Sequence, residues 1–216
     1  MPDLAASKPA VRMAIREEDA LRADLYRFLS ALLASPPDAA LLKSCAGLTG
    51  DDTPLGRAVT ALAKLAGQAT PGSAEREFNA LFIGLARGEL LPYASYYMTG
   101  FLNEKPLALL RADMAAQQIT RAANVYEPED NIASLMEMMA GLIDGSFGEP
   151  APATAQKTFF NRHIAPWARH FFTDLEGAKG SVLYAPVGAV GKIFMEIERE
   201  AFRLGGGGDP ETGRMR

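Results

Sequence analysis

Apolar side chains recur three and four residues apart along most of this chain and almost nowhere alternate, so the pattern is that of amphipathic helices. From Arg16 onward, Leu21, Leu25, Phe28, Leu29, Leu32 and Leu33 share one face. Glu17, Glu18 and Asp19 fill the first turn, where carboxylates meet the positive end of the helix dipole. Ser35 reads as the N-cap of a short second helix, with Pro36 or Pro37 early in its first turn; it runs through Leu41, Leu42 and Cys45 and stops at Gly47. A third stripe, Leu55, Val59, Leu62 and Leu65, starts at Asp51 or Thr53. Gly67 and the cluster Thr70, Pro71, Gly72, Ser73 close it. A fourth, Phe78, Leu81, Phe82 and Leu85, is predicted to reach the neighbourhood of Arg87, because Gly84 and Gly88 weaken the run and Pro92 lacks an amide hydrogen. The stretch after Pro92 is predicted as a loop carrying Tyr93, Tyr96 and Tyr97, with Gly100 permitting a turn.

Past Pro106 the residues Leu107, Leu110, Met114, Ile119 and Val125 predict a long helix. It ends at Tyr126 or Glu127, since a residue preceding proline is pushed out of the helical region. Ile132, Leu135, Met136, Met139, Leu142 and Ile143 form the next stripe, closed by Gly145 and Gly148. Residues 148–154 read as a loop, Thr158 to Leu175 as a helix broken by Pro166 near Ile164, and Val190, Ile193, Phe194, Ile197 and Phe202 as a last helix after Pro186. The fold class is therefore all-α, a single-domain bundle of roughly eight to ten helices over residues 14–204. Residues 1–13 read as a mobile N-terminal arm and 205–216 as a flexible Gly-rich tail. No fixed-length repeat points to a solenoid.

Composition narrows the partners. The 216 residues are 48% hydrophobic with a formal net charge of -4, so no broad basic surface for nucleic acid or anionic lipid is expected, and basic partners suit the chain better. The lone cysteine, Cys45, sits among leucines and reads as a buried small hydrophobe; it allows neither an intrachain disulfide nor a thiolate cluster. No stretch approaches the ~20 apolar residues of a membrane span and no leader pattern opens the chain, which predicts a cytoplasmic protein without stable membrane insertion.

Candidate chemistry is sparse. His163 and His170 lie seven apart with Asp174 four beyond, which leaves open a helical metal-binding protein or enzyme, although no Glu-x-x-His pair is present to complete a bundle site. Trp167 lies between them and reads as packing, its indole nitrogen seeking an acceptor. There is no phosphate loop and no serine elbow, so neither catalytic residues nor a cofactor are expected and the chain reads as a non-enzyme. The three tyrosines either plug the core or line a recess with their hydroxyls wet. Asp130 likewise has two readings: an N-cap or first-turn carboxylate, with Pro128 fixing the entry angle, or part of an acidic rim. In the second, Glu127, Asp130 and Asn131 border a floor of Phe78, Leu81, Phe82, Pro92, Tyr93 and Tyr96. A peptide with arginines followed by an apolar segment complements that combination. Met136, Met138 and Met139 either adapt to such a ligand or belong to the core.

Three blocks carry a family resemblance. Phe78, Asn79, Leu81, Phe82 and Gly84, then Pro92, Tyr93, Ser95, Tyr96, Tyr97 and Gly100, resemble the F-N-x-L-F-x-G and P-Y-x-S-Y-Y-x-x-G segments of the TorD/DmsD family of cytoplasmic chaperones for molybdoenzymes. Glu127, Pro128 and Asp130 are similar to that family's E-P-x-D-H, and His163, Pro166 and Trp167 to its H-x-x-P-W. Ala94 stands where the family usually has Glu, and Asn131 where it usually has His. The resemblance implies a partner: the apo-form of a molybdenum-cofactor oxidoreductase, held through its twin-arginine signal peptide until the cofactor is inserted. A regulatory helical adaptor unrelated to export is the remaining reading, and both monomer and dimer fit the pattern.

Overall fold

The computed structural model describes residues 16–85, 87–121 and 126–205. The expectations for the arm 1–13, for the tail beyond Gly205 and for Val125 fall outside them. Helix α1 (Glu17–Ala34) buries Tyr26, Leu29, Leu32 and Leu33 and ends in an extended Ser35. Ser35 is thus not the cap of the next helix: Asp38 caps α2 (Ala39–Ala46), its carboxylate accepting the Leu41 amide at 2.8 Å. Thr53 opens α3 (Pro54–Ala66) by accepting from the Gly56 amide.

Thr70 to Ser73, expected only to close α3, opens α4 (Pro71–Phe78) through a reciprocal box in which each hydroxyl accepts from the other residue's amide. The helix then widens into a π turn, Asn79–Ile83, closed by Gly84 N–H donating to the Asn79 carbonyl five residues back at 2.7 Å. Gly84 adopts φ +64°, which terminates the helix short of Arg87, and Leu85 stands fully exposed instead of joining the apolar face.

Residues expected as a loop form helix α5 (Ala94–Thr99), closed by Gly100 at φ +85° with its amide on the Tyr96 carbonyl. Helix α6 (Lys105–Ala116) is shorter than expected, because the chain turns at Gln117 and Gln118, the latter at φ +57°; Ile119 is nonetheless buried after the helix has ended. Helix α7 (Ile132–Asp144) is buried over most of its circumference and forms the centre of the core, Met136, Met138 and Met139 included.

Helix α8 (Ala153–Phe159) begins inside the stretch expected as loop. A second π turn follows, Phe160–Ile164, in which the Ala165 amide donates to the Phe160 carbonyl at 2.8 Å. The break at Pro166 lies where expected, before α9 (Ala168–Gly177). Helix α10 (Tyr184–Leu204) starts ahead of Pro186, which occupies the first turn, where a missing amide hydrogen costs no intrahelical bond.

Helix α1 lies along α7, while α3 and α9 pack on α10. At Gly191 a Cβ would come within 2.2 Å of the Phe172 ring, and at Gly188 within 2.5 Å of the Glu176 amide, so the α9–α10 contact needs glycine at both places. Polar side chains tie distant segments together. Glu77 accepts the amides of Val182, Leu183 and Tyr184 at 2.7, 3.1 and 2.8 Å, and Glu89 accepts those of Lys179 and Gly180 at 2.7 and 3.0 Å. Buried Glu198 on α10 accepts both Nε and Nη2 of Arg22 at 2.8 Å and the Tyr26 hydroxyl at 3.0 Å. Among the described residues no helix is long and apolar enough to cross a membrane, and the only extended pairing is one isolated bridge, Tyr93 with Asn131.

Candidate functional site

That bridge is the centre of the candidate site. The Ala94 amide donates to the Asp130 carbonyl at 3.0 Å, the Ile132 amide to the Pro92 carbonyl at 2.8 Å, and the Ser95 amide to Asp130 Oδ2 at 2.8 Å. The segment before α5 is thereby clasped to the segment before α7, and the aromatic and acidic blocks are neighbours in space. The Tyr93 hydroxyl closes the clasp by donating to Glu127 Oε2. Burial, and then the Glu127 carboxylate, push the Tyr93 phenol well above its ordinary pKa, so it stays a donor.

Individual residues depart from expectation. Asp130 is neither N-cap nor exposed rim: its carboxylate is 1% exposed, and the cap of α7 is Asn131, whose Oδ1 accepts the Ala133 amide at 2.9 Å. Asp130 Oδ1 and Ser95 Oγ are buried without a hydrogen-bond partner among the described residues. Phe78 and Leu81 do not line a recess. They are buried in the core, where the Phe78 and Phe82 rings meet edge to face at 4.9 Å and both lie near Tyr184. Pro92 is also buried; Phe82, Tyr93, Tyr96, Pro128 and Asn131 are half-buried, and Glu127 is exposed. All three tyrosines are half-buried with their hydroxyls on partners. Tyr97 packs on Trp167 at 5.3 Å while its hydroxyl reaches Asp174, and Tyr96 accepts from Arg87.

Sequence reasoning missed a groove on the other side of Glu127. It lies between α1 and α7, about 350 Å³ in volume, with Met114, Ile119, Ala133 and Met138 as its floor and Phe147 as a wall. The Phe147 ring sits where a side chain on residue 141 would be, within 2.2 Å of a Cβ there, so Gly141 gives it its seat. Glu127, Glu129 and Glu137 carry carboxylates at the lining against the single guanidinium of Arg121. Glu129 is already engaged, accepting from Arg111 at 2.8 Å with Arg121 at 3.7 Å. The apolar positions Met114 and Ile119 were legible as a stripe; that Phe147 would stand beside them and stay open to solvent was not.

The histidines diverge. His163 is buried with its Nε2 2.7 Å from Asp113, which also accepts from Arg162, whereas His170 is exposed. Among the described residues no three His, Cys, Asp or Glu side chains converge as a metal set. Trp167 is buried and its indole nitrogen donates to the His163 carbonyl at 2.8 Å. Burial lowers the His163 pKa below 6.5, outweighing the opposing pull of Asp113. The unfolded chain therefore takes up the proton first: the histidine's contribution is intact above its unfolded value and is lost as pH falls through it toward the folded value. Melting temperatures measured between about pH 5 and pH 8 should fall on the acid side, and His163→Gln should flatten that slope. Parallel slopes in both proteins would refute the assignment.

Residues 48–173 match the family described as nitrate reductase delta subunit. The chaperone protein TorD of Vibrio cholerae serotype O1 is 28% identical over 130 residues, covering 57% of this chain and 59% of that protein. TorD of Aliivibrio salmonicida is 30% identical over 130 residues, covering 56% and 60%. The matches thus leave a large part of each relative unspanned. A crystal structure of an Archaeoglobus fulgidus protein described as a redox enzyme maturation protein superposes with a TM-score of 0.52 at 19% identity, over 88% of this chain and 99% of that one, a likeness of fold.

Proposed function

Since this chain belongs to the nitrate reductase delta subunit family, we propose that it is a non-catalytic cytoplasmic chaperone for a redox enzyme. In this reading it holds the apo-form of a molybdenum-cofactor oxidoreductase by its twin-arginine signal peptide until the cofactor is in place. The observation that carries the reading is the exposed Glu127 carboxylate, fixed by the Tyr93 hydroxyl at the edge of the clasp. A guanidinium arriving there meets an acceptor already oriented, which favours a charge-assisted, bidentate contact. Buried Asp130 supports the rim from behind by anchoring the Ser95 amide. Names borne by the relatives, a chaperone and a redox enzyme maturation protein, point to the same class of client.

Calorimetric titration with a peptide of two arginines followed by an apolar stretch tests this. Glu127→Gln should weaken binding by about 1–3 kcal/mol, roughly five- to 150-fold. A peptide with both arginines replaced by glutamine should lose at least as much. Equal affinity for the two peptides would remove the rim from the account.

A further inference from the structure

We propose that the groove between α1 and α7 is an apolar subsite that takes the hydrophobic stretch following the arginines of the same client segment; this rests on the signal-peptide reading above. Glu127 belongs to both places, bonded to Tyr93 on the clasp side and lining the groove on the other, so a chain whose cation lies on Glu127 has its next residues at the groove mouth. The polarity follows: arginines at the clasp, apolar side chains running along α7 toward Phe147.

The groove has the properties such an occupant requires. Its floor is apolar and already buried from the core side, Met114 at 5% and Met138 at 7% exposure, while Phe147 keeps 37% of its surface open to whatever enters. Thioethers re-pack around unlike side chains, which suits apolar segments of varied sequence. The volume lies at the small end of ligand pockets, enough for the side chains of a short apolar run and too small for a folded domain. Glu137, on the rim and still exposed although 3.9 Å from Arg27, adds a second carboxylate that favours a basic occupant over an acidic one. Phe147 is not a stray exposed aromatic, since Gly141 makes room for its ring against α7.

Two substitutions test the groove without disturbing the clasp. Ala34, exposed at the end of α1, lines the groove, so Ala34→Trp blocks it from the solvent side; Phe147→Ala removes a wall. Each full-length variant is first melted to establish that it folds, then titrated with two peptides that share the arginines, one with the apolar stretch and one with serines in its place. Both variants should bind the apolar peptide about tenfold more weakly than the parent and leave the serine peptide unchanged. Undiminished binding of the apolar peptide by both variants overturns the groove. So does a parent protein that does not distinguish the two peptides, and in that case the arginine reading stands. Failure of the parent to bind either peptide overturns both.

Discussion

Replacing Glu198 with alanine is expected to destabilise the protein by about 3 kcal/mol, read as a shift in the urea midpoint with unchanged slope. The carboxylate is 1% exposed and satisfies three donors at once: two nitrogens of Arg22 and the Tyr26 hydroxyl. Truncation strands a guanidinium that remains only 24% exposed and a phenol at 0%, and the stranded groups dominate the cost. The lower end of the range for broken buried pairs applies because Arg22 keeps Asp19 at 2.8 Å and the face of Phe202 at 5.3 Å. Converting both partners together, Arg22→Met with Glu198→Met, should recover the part of the loss due to the stranded guanidinium, leaving only the cost of the unpaired Tyr26 hydroxyl. A loss below about 1 kcal/mol for Glu198→Ala would mean that apolar contacts such as Tyr26 on Phe194 hold α1 to α10 unaided.

Trp167→Ala should cost about 3–5 kcal/mol, the range for emptying a large buried aromatic position. Trp167 fills the break between the second π turn and α9, touching Tyr97 and Phe171, and its indole nitrogen satisfies the His163 carbonyl. Its loss opens a cavity and leaves that carbonyl unpaired. The effect should also reach the clasp, because Tyr97 belongs to α5, the helix that starts there. Trp167→Phe keeps most of the volume and should cost nearer 1 kcal/mol for the hydrogen bond. Because this is the only tryptophan, circular dichroism is the suitable probe. A Trp167→Ala protein as stable as the parent would show that the break is held by its backbone alone.

The helical architecture was legible because the stripes on α1, α3, α7 and α10 keep the α period over three or more turns. Where the period changes, legibility ends. A π turn leads straight into Gly84, where the helix stops, so Leu85 leaves the predicted face and lies outside, while Phe78 and Leu81 belong to the core and not to a floor. Thr70 and Ser73 are turn formers in any list, and only the spacing of three between hydroxyls distinguishes a box that opens a helix from a cluster that closes one. The site was half visible. Motif order brought Tyr93 and Glu127 together, but which acid faces water depends on the bridge: pairing Tyr93 with Asn131 turns Asp130 inward and leaves Glu127 outside. Glu77, Glu89 and Glu198 were unremarkable in sequence, since their partners lie roughly ninety to a hundred and eighty residues away and most of those are main-chain amides.

The two carboxylates that receive five amides between residues 179 and 184 have a consequence for how this protein tolerates change. Everything they recognise is main chain, and Val182, in the middle of the stretch, points its side chain into water. The letters at 179 and 182 can therefore drift through almost any residue that retains an amide hydrogen, proline excepted, whereas a Cβ at Gly180 would come within 3.2 Å of the Glu89 carboxylate. The acids at 77 and 89 cannot follow them. A stretch that looks unconstrained in a mutational scan would then be among the most firmly held turns in the molecule, its constraint written far upstream.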